Sequence, residues 1–296
     1  MMIWNIGYAG LDASMDFFYD GGKSMRPGEA DLINNIKGIS SCLESFKGFD
    51  FIMLQEVDRD SKRSYHIDQV NSLEQLFQGY IPGFGKNYDV FFVPIPISEP
   101  MGKVESGLLT LSKHNPSEIT RHSFPGNYSW PMSLFMLDRC FLANRYPLSS
   151  GKELIVVNTH NSAYDDGTLR EKQMYFMKAF LLDEFERGNY VIVGGDWNQT
   201  PPGFGPDQLD QPFDSVNLTY LDEDYPAKGW NWAFDHSTPS NRRVSVPYTR
   251  GSTLTTIIDG FLISPNIRVN KIRTHDVNFQ FSDHQPVELH IELISN

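Results

Sequence analysis

Polar residues recur where strand-like apolar runs begin or end. Asn5 interrupts MIWNI, Glu56 closes FIMLQE, Asn158 and His160 close ELIVVNTH, and Asp196 closes YVIVGGD with Asn198 two residues on. Asp259 lies within TTIIDGFLIS, and Asp283 and His284 stand just before PVELHIEL. Carboxylates and amides in such places are costly to bury unless paired or bound to a cation. Their recurrence predicts one shared polar site. The donor set is hard oxygens plus two histidines with no thiolate, which suits Mg²⁺, and after it Mn²⁺ or Ca²⁺. Mg²⁺ is usually held by one or two carboxylates together with substrate phosphate. The chemistry indicated is phosphate-ester hydrolysis, which needs a cation against developing charge, a base to align water and a proton donor for the leaving oxygen.

The elements that must position these residues are mostly strands. Nine short β-rich runs bounded by Gly, Pro and Asn are found: 2–6, 51–56, 88–95, 106–112, 134–143, 153–160, 190–196, 255–264 and 286–293. Helical spacing fits Gly28 to Lys47, His66 to Gln78 and Thr168 to Arg187, where Leu169, Met174, Met177, Phe180, Leu181 and Phe185 can share a stripe. Consecutive apolar positions in several runs predict strands covered on both faces. Two stacked sheets with helices outside, in one domain over 1–296, fit this pattern. Gly7 to Gly28 and Pro201 to Asn231 are long irregular stretches, which in a folded domain are more often functional than decorative.

The 296 residues carry 25 basic and 37 acidic side chains, a net charge of −12, which excludes a generic polyanion binder. Hydrophobic residues make up 40 %, enough for a large core, so disorder is excluded. Cys42 and Cys140 are too few for a disulfide framework and too far apart for a zinc motif, and read as buried small apolar residues. No apolar run reaches the roughly 18 residues of a membrane span. A core strand at residues 2–6 leads to the expectation of an upstream leader outside this chain, through which the protein is exported or membrane-tethered.

Five blocks stand in order: WNI with Asn5, LQEVD with Glu56, VVNTH with His160, GGDWN with Asp196 and Asn198, and SDHQPV with Asp283 and His284. With IIDGFLIS before the last, they resemble the endonuclease/exonuclease/phosphatase superfamily, which includes deoxyribonuclease I, neutral sphingomyelinases and inositol polyphosphate 5-phosphatases. The resemblance spans nearly the whole chain. It implies a deoxyribonuclease I-like, four-layer α/β/β/α sandwich. It also implies a metal on Glu56 with help from Asn5 and Asp283. Asp196 and Asn198 would orient the attacking water and the phosphate, and Asp259 would pair with His284, which contacts the scissile phosphate. His160 matches the second histidine of the deoxyribonuclease and phosphatase branches, and Arg139 the basic residue many members place near the phosphate. The stretch after Asn5, GYAGLDASMDFFYDGGKSMRPGE, is unlike the short nuclease loop and resembles a loop of uncharacterised bacterial members.

The residues agree on their own terms. Asp196 and Asn198, two apart on an extended backbone, would share a face. An aspartate bonded to His284 would fix its tautomer and favour its charged form. Plainer readings compete elsewhere. Asn158 reads as a structural hydrogen bonder, and an ion pair of Arg139 with Asp138 or a neighbouring strand weighs equally against phosphate contact. His66, His114, His122, His236, His275 and His290 read as surface residues. Trp130, Trp230 and Trp232 read as loop anchors, with a lip for an apolar group as the alternative. For Arg242, Arg243 and Arg250 a solvated basic turn is favoured over a second phosphate site.

The expectation is therefore a metal-dependent phosphoesterase acting on a phosphorylated small molecule or lipid headgroup. Nuclease action on DNA or RNA is the first rival, disfavoured by the net charge. His160 further disfavours abasic-site repair, whose branch carries an asparagine-type block there. A catalytically inactive binding module is the rival from another class, and the intact site set argues against it. Monoester and diester substrates, and one metal or two, are left open.

Overall fold

In the computed structural model, residues 1–125, 137–163, 168–205, 208–209 and 218–294 are described. The first strand, β1 (Met2–Asn5), is followed by helix α1 (Glu29–Glu44) and strand β2 (Phe51–Asp58), which pairs parallel to β1. A short helix α2 (Gln69–Leu76) and an antiparallel hairpin, β3 (Ile81–Val93) and β4 (Gly102–Ser112), complete this half. The second half repeats the plan. Strands β5 (Glu118–Ser123), β6 (Cys140–Pro147) and β7 (Glu153–His160) lead into helix α3 (Thr168–Glu186) and strand β8 (Tyr190–Asp196), parallel to β7. Short strands β9 (Asn231–Ala233), β10 (Asn241–Arg242) and β11 (Thr255–Thr256) precede β12 (Asp259–Ile263), β13 (Ile267–Thr274) and β14 (Val287–Leu293).

The strands form two six-stranded sheets, ordered β13-β14-β1-β2-β4-β3 and β5-β6-β7-β8-β12-β9, plus a β10-β11 ribbon. Alternation along the central strands makes the layers. Ile3 and Met53 meet Val156, Ile192 and Phe261 between the sheets, whereas Met2, Trp4, Ile52 and Leu54 face Leu32, Ile39 and Leu43 of α1 and Val70 and Leu73 of α2. On the far side, Ile155, Val157, Val191 and Val193 pack against Met177 and Leu181 of α3. The result is a four-layer α/β/β/α sandwich, as expected.

A polar bridge fastens the sheets near one edge. Asn158 on β7 donates to the carbonyls of Leu54 and Leu109, both at 3.2 Å, and accepts from Gln55 Nε2 at 2.7 Å. Its expected structural role therefore has an address.

Several readings need correction. β5 (EITRHS) and β13 (IRVNKIRT) lie at sheet edges with largely exposed, polar faces, so no apolar run marks them. The 255–264 run is two strands, β11 and β12. The described part of the 134–143 run becomes strand only at Cys140 and continues to Pro147. The buried face of α3 is Arg170, Gln173, Met177, Leu181 and Glu184, with Met174, Phe180 and Phe185 only partly covered. Polar residues share that stripe because Glu184 is paired with Arg145 and Asn189, and Gln173 with Ser162. Cys140 is buried but Cys42 only partly so. His122 stacks on Phe141 and His275 packs on Phe46, so neither is a plain surface histidine.

The 7–28 stretch is far from loose. Two 3₁₀ turns, Gly7–Ala9 and Phe18–Asp20, punctuate it, and Tyr8, Leu11, Met15, Phe17 and Met25 bury against Val90, Val93, Met101, Val104 and Val244. Arg242, expected in a solvated turn, is buried and donates to the carbonyls of Leu11, at 3.4 Å, and Asp12, at 2.5 Å. It ties that stretch down, whereas Arg250 is exposed beside Asp276 as expected. Trp230 and Trp232 pack with the core under α3 rather than forming a lip. Trp130 lies outside the described residues.

Candidate active site

Topology dictates where the strand-end residues go. Parallel pairing of β1 with β2, and of β7 with β8, puts the C-terminal ends of each pair at one edge of its sheet. Asn5 pairs with Gln55 beside Glu56, and His160 pairs with Asp196. β12 runs antiparallel to β8, so Asp259 at its start also lies opposite Asp196. Inter-sheet packing then closes the two edges on one another.

Asp196 is the meeting point. Its Oδ2 accepts from Asn5 Nδ2 at 3.1 Å and lies 3.3 Å from His160 Nε2 and 3.6 Å from His284 Nε2. Asn5 Nδ2 also reaches Glu56 Oε1 at 3.3 Å. His284 Nδ1 bonds Asp259 Oδ2 at 2.8 Å, and its Nε2 lies 3.9 Å from Asp283 Oδ2. Arg139 is buried with Nη1 on the carbonyl of His160 at 3.4 Å, while Asp138 is taken by Arg121 at 2.6 Å. The ion pair of Arg139 with Asp138 is thus replaced by an orientation toward the cluster.

The backbone is bent to achieve this. Glu56 has φ +53° at a register break between β2 and β4, the two-against-one arrangement of a bulge that re-aims a side chain. Asn198 has φ +51°, which corrects the extended reading: its backbone N–H caps Asp196 Oδ1 at 2.9 Å and its Nδ2 donates to the Asn161 carbonyl at 2.9 Å. Such conformations cost of order 1–3 kcal/mol for a non-glycine residue and gather at sites whose surroundings over-determine them. Gly195 is required next to Asp196, because with φ +151° a Cβ there would lie 1.9 Å from the Thr159 carbonyl oxygen.

Electrostatics separates the two histidines. Burial pushes His160 well below its ordinary value, and the charges of Arg139, His284 and Arg63 push the same way, so it is neutral. Burial also disfavours charge on His284, but Asp259, Asp196 and Asp283 more than offset it, so it is held protonated well above the ordinary value. Burial pushes Asp196 up to about 6 against the pull of His284, and pushes Asp283 up to about 7.

Two donor sets compete for a divalent cation. Ligand atoms of Asp196, Asp259 and His284 lie within 4.8 Å of one another. Asp259 Oδ2, however, already accepts from Ser240 Oγ at 2.7 Å and from His284 Nδ1, which leaves only its buried Oδ1, without a partner among the described residues, for a cation. The alternative is all oxygen. Glu56 keeps its side chain 24 % exposed, and Gly7 leaves a cradle beside Asn5 and Asp283, since a Cβ on it would lie 2.9 Å from Asp283 Oδ1. Oxygen donors with an open side suit Mg²⁺ better than the nitrogen-bearing set.

Some site neighbours were invisible in the sequence. Arg63, in a 3₁₀ turn at Lys62–Ser64, is held by Asp58 at 2.9 and 3.1 Å, lies 3.9 Å over the Tyr8 ring and brings Nη1 to 3.8 Å from Glu56 Oε2. Ser240 holds Asp259, and Asn241 Nδ2 lies 3.0 Å from His284 Nε2. The run HSTPSNRR offers no signal for either.

Comparison with known proteins agrees with the fold. A family model described as the endonuclease/exonuclease/phosphatase family matches residues 2–284. An endonuclease/exonuclease/phosphatase from Beutenbergia cavernae superposes with a TM-score of 0.66 at 19 % identity, over 99 % of this chain and 71 % of that one. The human Nocturnin catalytic domain with bound sulfate gives 0.61 at 16 % identity, over 99 % and 93 %. TDP2 of D. rerio, complexed with a single-strand DNA product, gives 0.59 at 15 % identity, over 98 % and 97 %. No curated protein matches the chain.

Proposed function

The chain belongs to the endonuclease/exonuclease/phosphatase family, and on that premise we propose that it is a divalent-metal-dependent phosphoesterase acting on a compact phosphorylated small molecule or lipid headgroup. The observation that carries the reading is the convergence of Asn5, His160 and His284 on one buried oxygen of Asp196, with Glu56 one hydrogen bond away.

In this reading Glu56, Asn5 and Asp283 hold Mg²⁺, with Mn²⁺ or Ca²⁺ as substitutes. The bound cation supplies neutralisation of charge on the phosphoryl oxygens. The chain's own groups do the rest. His284, kept charged by Asp259 and oriented through Ser240, donates to a phosphoryl oxygen. Asn198 and Arg139 bind the phosphate, and Arg139 Nε has no hydrogen-bond partner among the described residues. Asp196 accepts the proton of the attacking water as oxygen adds to phosphorus and the ester bond breaks, the leaving oxygen taking its proton from solvent. A neutral His160 beside Asp196 avoids a second positive charge that would hold that carboxylate unreactive.

Two rivals differ in what supports them. A binding module without turnover is disfavoured because every residue of the set is in place. For a nuclease, the DNA product bound by TDP2 is a property of that protein, and the net charge of −12 opposes the same partner here. The test is a hydrolysis panel with Mg²⁺: p-nitrophenyl phosphate, bis-p-nitrophenyl phosphate, plasmid DNA, sphingomyelin and phosphoinositides. Turnover of a small ester or lipid, abolished by chelator, is the expected result. Plasmid degradation at physiological salt overturns the substrate class, and no turnover with any divalent cation overturns the enzyme reading.

A further inference from the structure

Nine consecutive residues at the turn of the β3–β4 hairpin, Val90 to Ser98, carry no charge: VFFVPIPIS. Val90 and Val93 point inward onto the cluster around Tyr8 and Met15. Phe91, Phe92, Ile95 and Ile97 point out, Phe91 at 88 % and Ile97 at 91 % exposure. Single exposed apolar residues are ordinary, but four large ones gathered on a protruding turn mark a contact surface.

The turn stands at the same sheet edge as the candidate active site. β4 runs antiparallel to β2, with Asp58 opposite Ser106, so its first residues lie at the edge where Glu56 sits. Pairing with β3 continues from Ser106 to Gly102, which lies opposite Val93. At roughly 3.3 Å per residue, the turn projects about 13 Å past that edge.

The order of side chains along the protrusion says what covers it. Apolar residues occupy the apex. Tyr19, half-exposed, donates its hydroxyl to the Ile95 carbonyl at 3.0 Å. Behind them stands a charged collar: Arg26 pairs with Glu99 and bonds the Lys62 carbonyl, Lys62 bonds the Pro100 carbonyl at 2.9 Å, and Lys103 pairs with Asp60. Apolar apex, amphipathic aromatic and charged base follow the depth profile of one lipid leaflet, from acyl boundary through interface to headgroups. A pocket on a protein partner would require no such grading, and a convex turn offers no groove for a peptide. Charge selects among lipids. A chain at −12 with two of the three collar cations paired to carboxylates gains little from anionic headgroups.

We infer that the β3–β4 turn inserts into a zwitterionic lipid leaflet and sets the sheet edge that carries the candidate site against its headgroups. The docking half stands alone; the consequence that the ester is drawn from the lipid surface rests on the phosphoesterase reading. The test uses the full chain, phosphatidylcholine vesicles with and without phosphatidylglycerol, and the double variant Phe91→Ser/Ile97→Ser, whose exposed positions leave the core untouched. Wild type is expected to co-sediment with phosphatidylcholine vesicles, without strengthening by phosphatidylglycerol. The double variant should lose about a hundredfold in partitioning, the transfer of two large apolar side chains. Its hydrolysis of soluble bis-p-nitrophenyl phosphate should stay at the wild-type rate. Failure of wild type to bind at millimolar lipid, equal binding by the variant, binding that depends on phosphatidylglycerol, or a dimer dissolved by the same substitutions in place of lipid binding would each overturn the inference. Vesicle binding as expected, with no ester hydrolysed by wild type, would instead remove the phosphoesterase reading and leave the docking surface standing.

Discussion

Asp196 is surrounded by groups that bear on its proton. Asn5 and the Asn198 N–H stabilise the carboxylate, His284 supplies a positive charge nearby, and burial opposes ionisation. Asp196→Asn keeps the shape and removes the base, so turnover on a small ester should fall by about 10²- to 10⁴-fold, and His284→Ala should do the same by removing the cation. Glu56→Gln should act differently, raising the Mg²⁺ concentration needed for half-maximal rate more than it lowers the rate at saturation. Steady-state kinetics across a Mg²⁺ titration reads all three, and wild-type rates in Asp196→Asn would remove that residue from the mechanism. Residues of this kind were legible in the sequence because a polar side chain ending an apolar strand needs a reason to be there. Arg63, Ser240 and Asn241 were not, since turns that fold back onto the site leave no periodic trace. Asn198 was found by type and misread in conformation, because nothing local announces φ +51°.

At the scale of elements, two strand–helix–strand crossovers, β1-α1-β2 and β7-α3-β8, bring Asn5, Glu56, His160 and Asp196 to the candidate site, and the inter-sheet bridge at Asn158 fixes how they meet. Asn158→Leu would strip two buried strand carbonyls of their side-chain donor and leave Gln55 Nε2 only the Met53 carbonyl at 3.3 Å. At roughly 1–3 kcal/mol per group stranded in this way, a loss of about 3 kcal/mol is expected, read as a lower urea midpoint at unchanged slope. The α3 interface carries a pH dependence. Burial raises the Glu184 carboxyl, but hydrogen bonds from Arg145 and Asn189 more than offset it, so the folded value lies below the ordinary one. A depressed carboxyl adds stability above its unfolded value of 4.5 and loses it as pH falls through the lower folded value. The thermal midpoint should therefore drop on acidification below that point, and Glu184→Gln should flatten the drop. Central strands and all three helices were readable because burial on one or both faces imposes a pattern. The edge strands β5 and β13 were not, because a strand with a solvated face needs no apolar run, and their pairing is supplied by neighbours distant in sequence.

For the whole molecule the deciding quantity is how many cations are free to meet a polyanion. Basic side chains near the site edge are largely committed: Arg63 to Asp58, Lys103 to Asp60, Arg121 to Asp138, Arg250 to Asp276, and Arg242 to backbone carbonyls of the 7–28 stretch. Arg139 faces inward, where it can serve one phosphate but cannot track a strand. Duplex affinity grows with each phosphate neutralised, and log K falls with log salt by about 0.9 per contact. With these cations committed and a net charge of −12, a shallow slope and weak binding are implied. Fluorescence anisotropy with a labelled duplex, using Asp196→Asn and Mg²⁺ so that substrate persists, should give no saturable binding at about 0.15 M salt and a slope magnitude of about 3 or less where binding is seen at lower salt. A slope of about 6 or steeper would mean a basic track that forms only when DNA arrives, and the substrate would then have to be sought among nucleic acids.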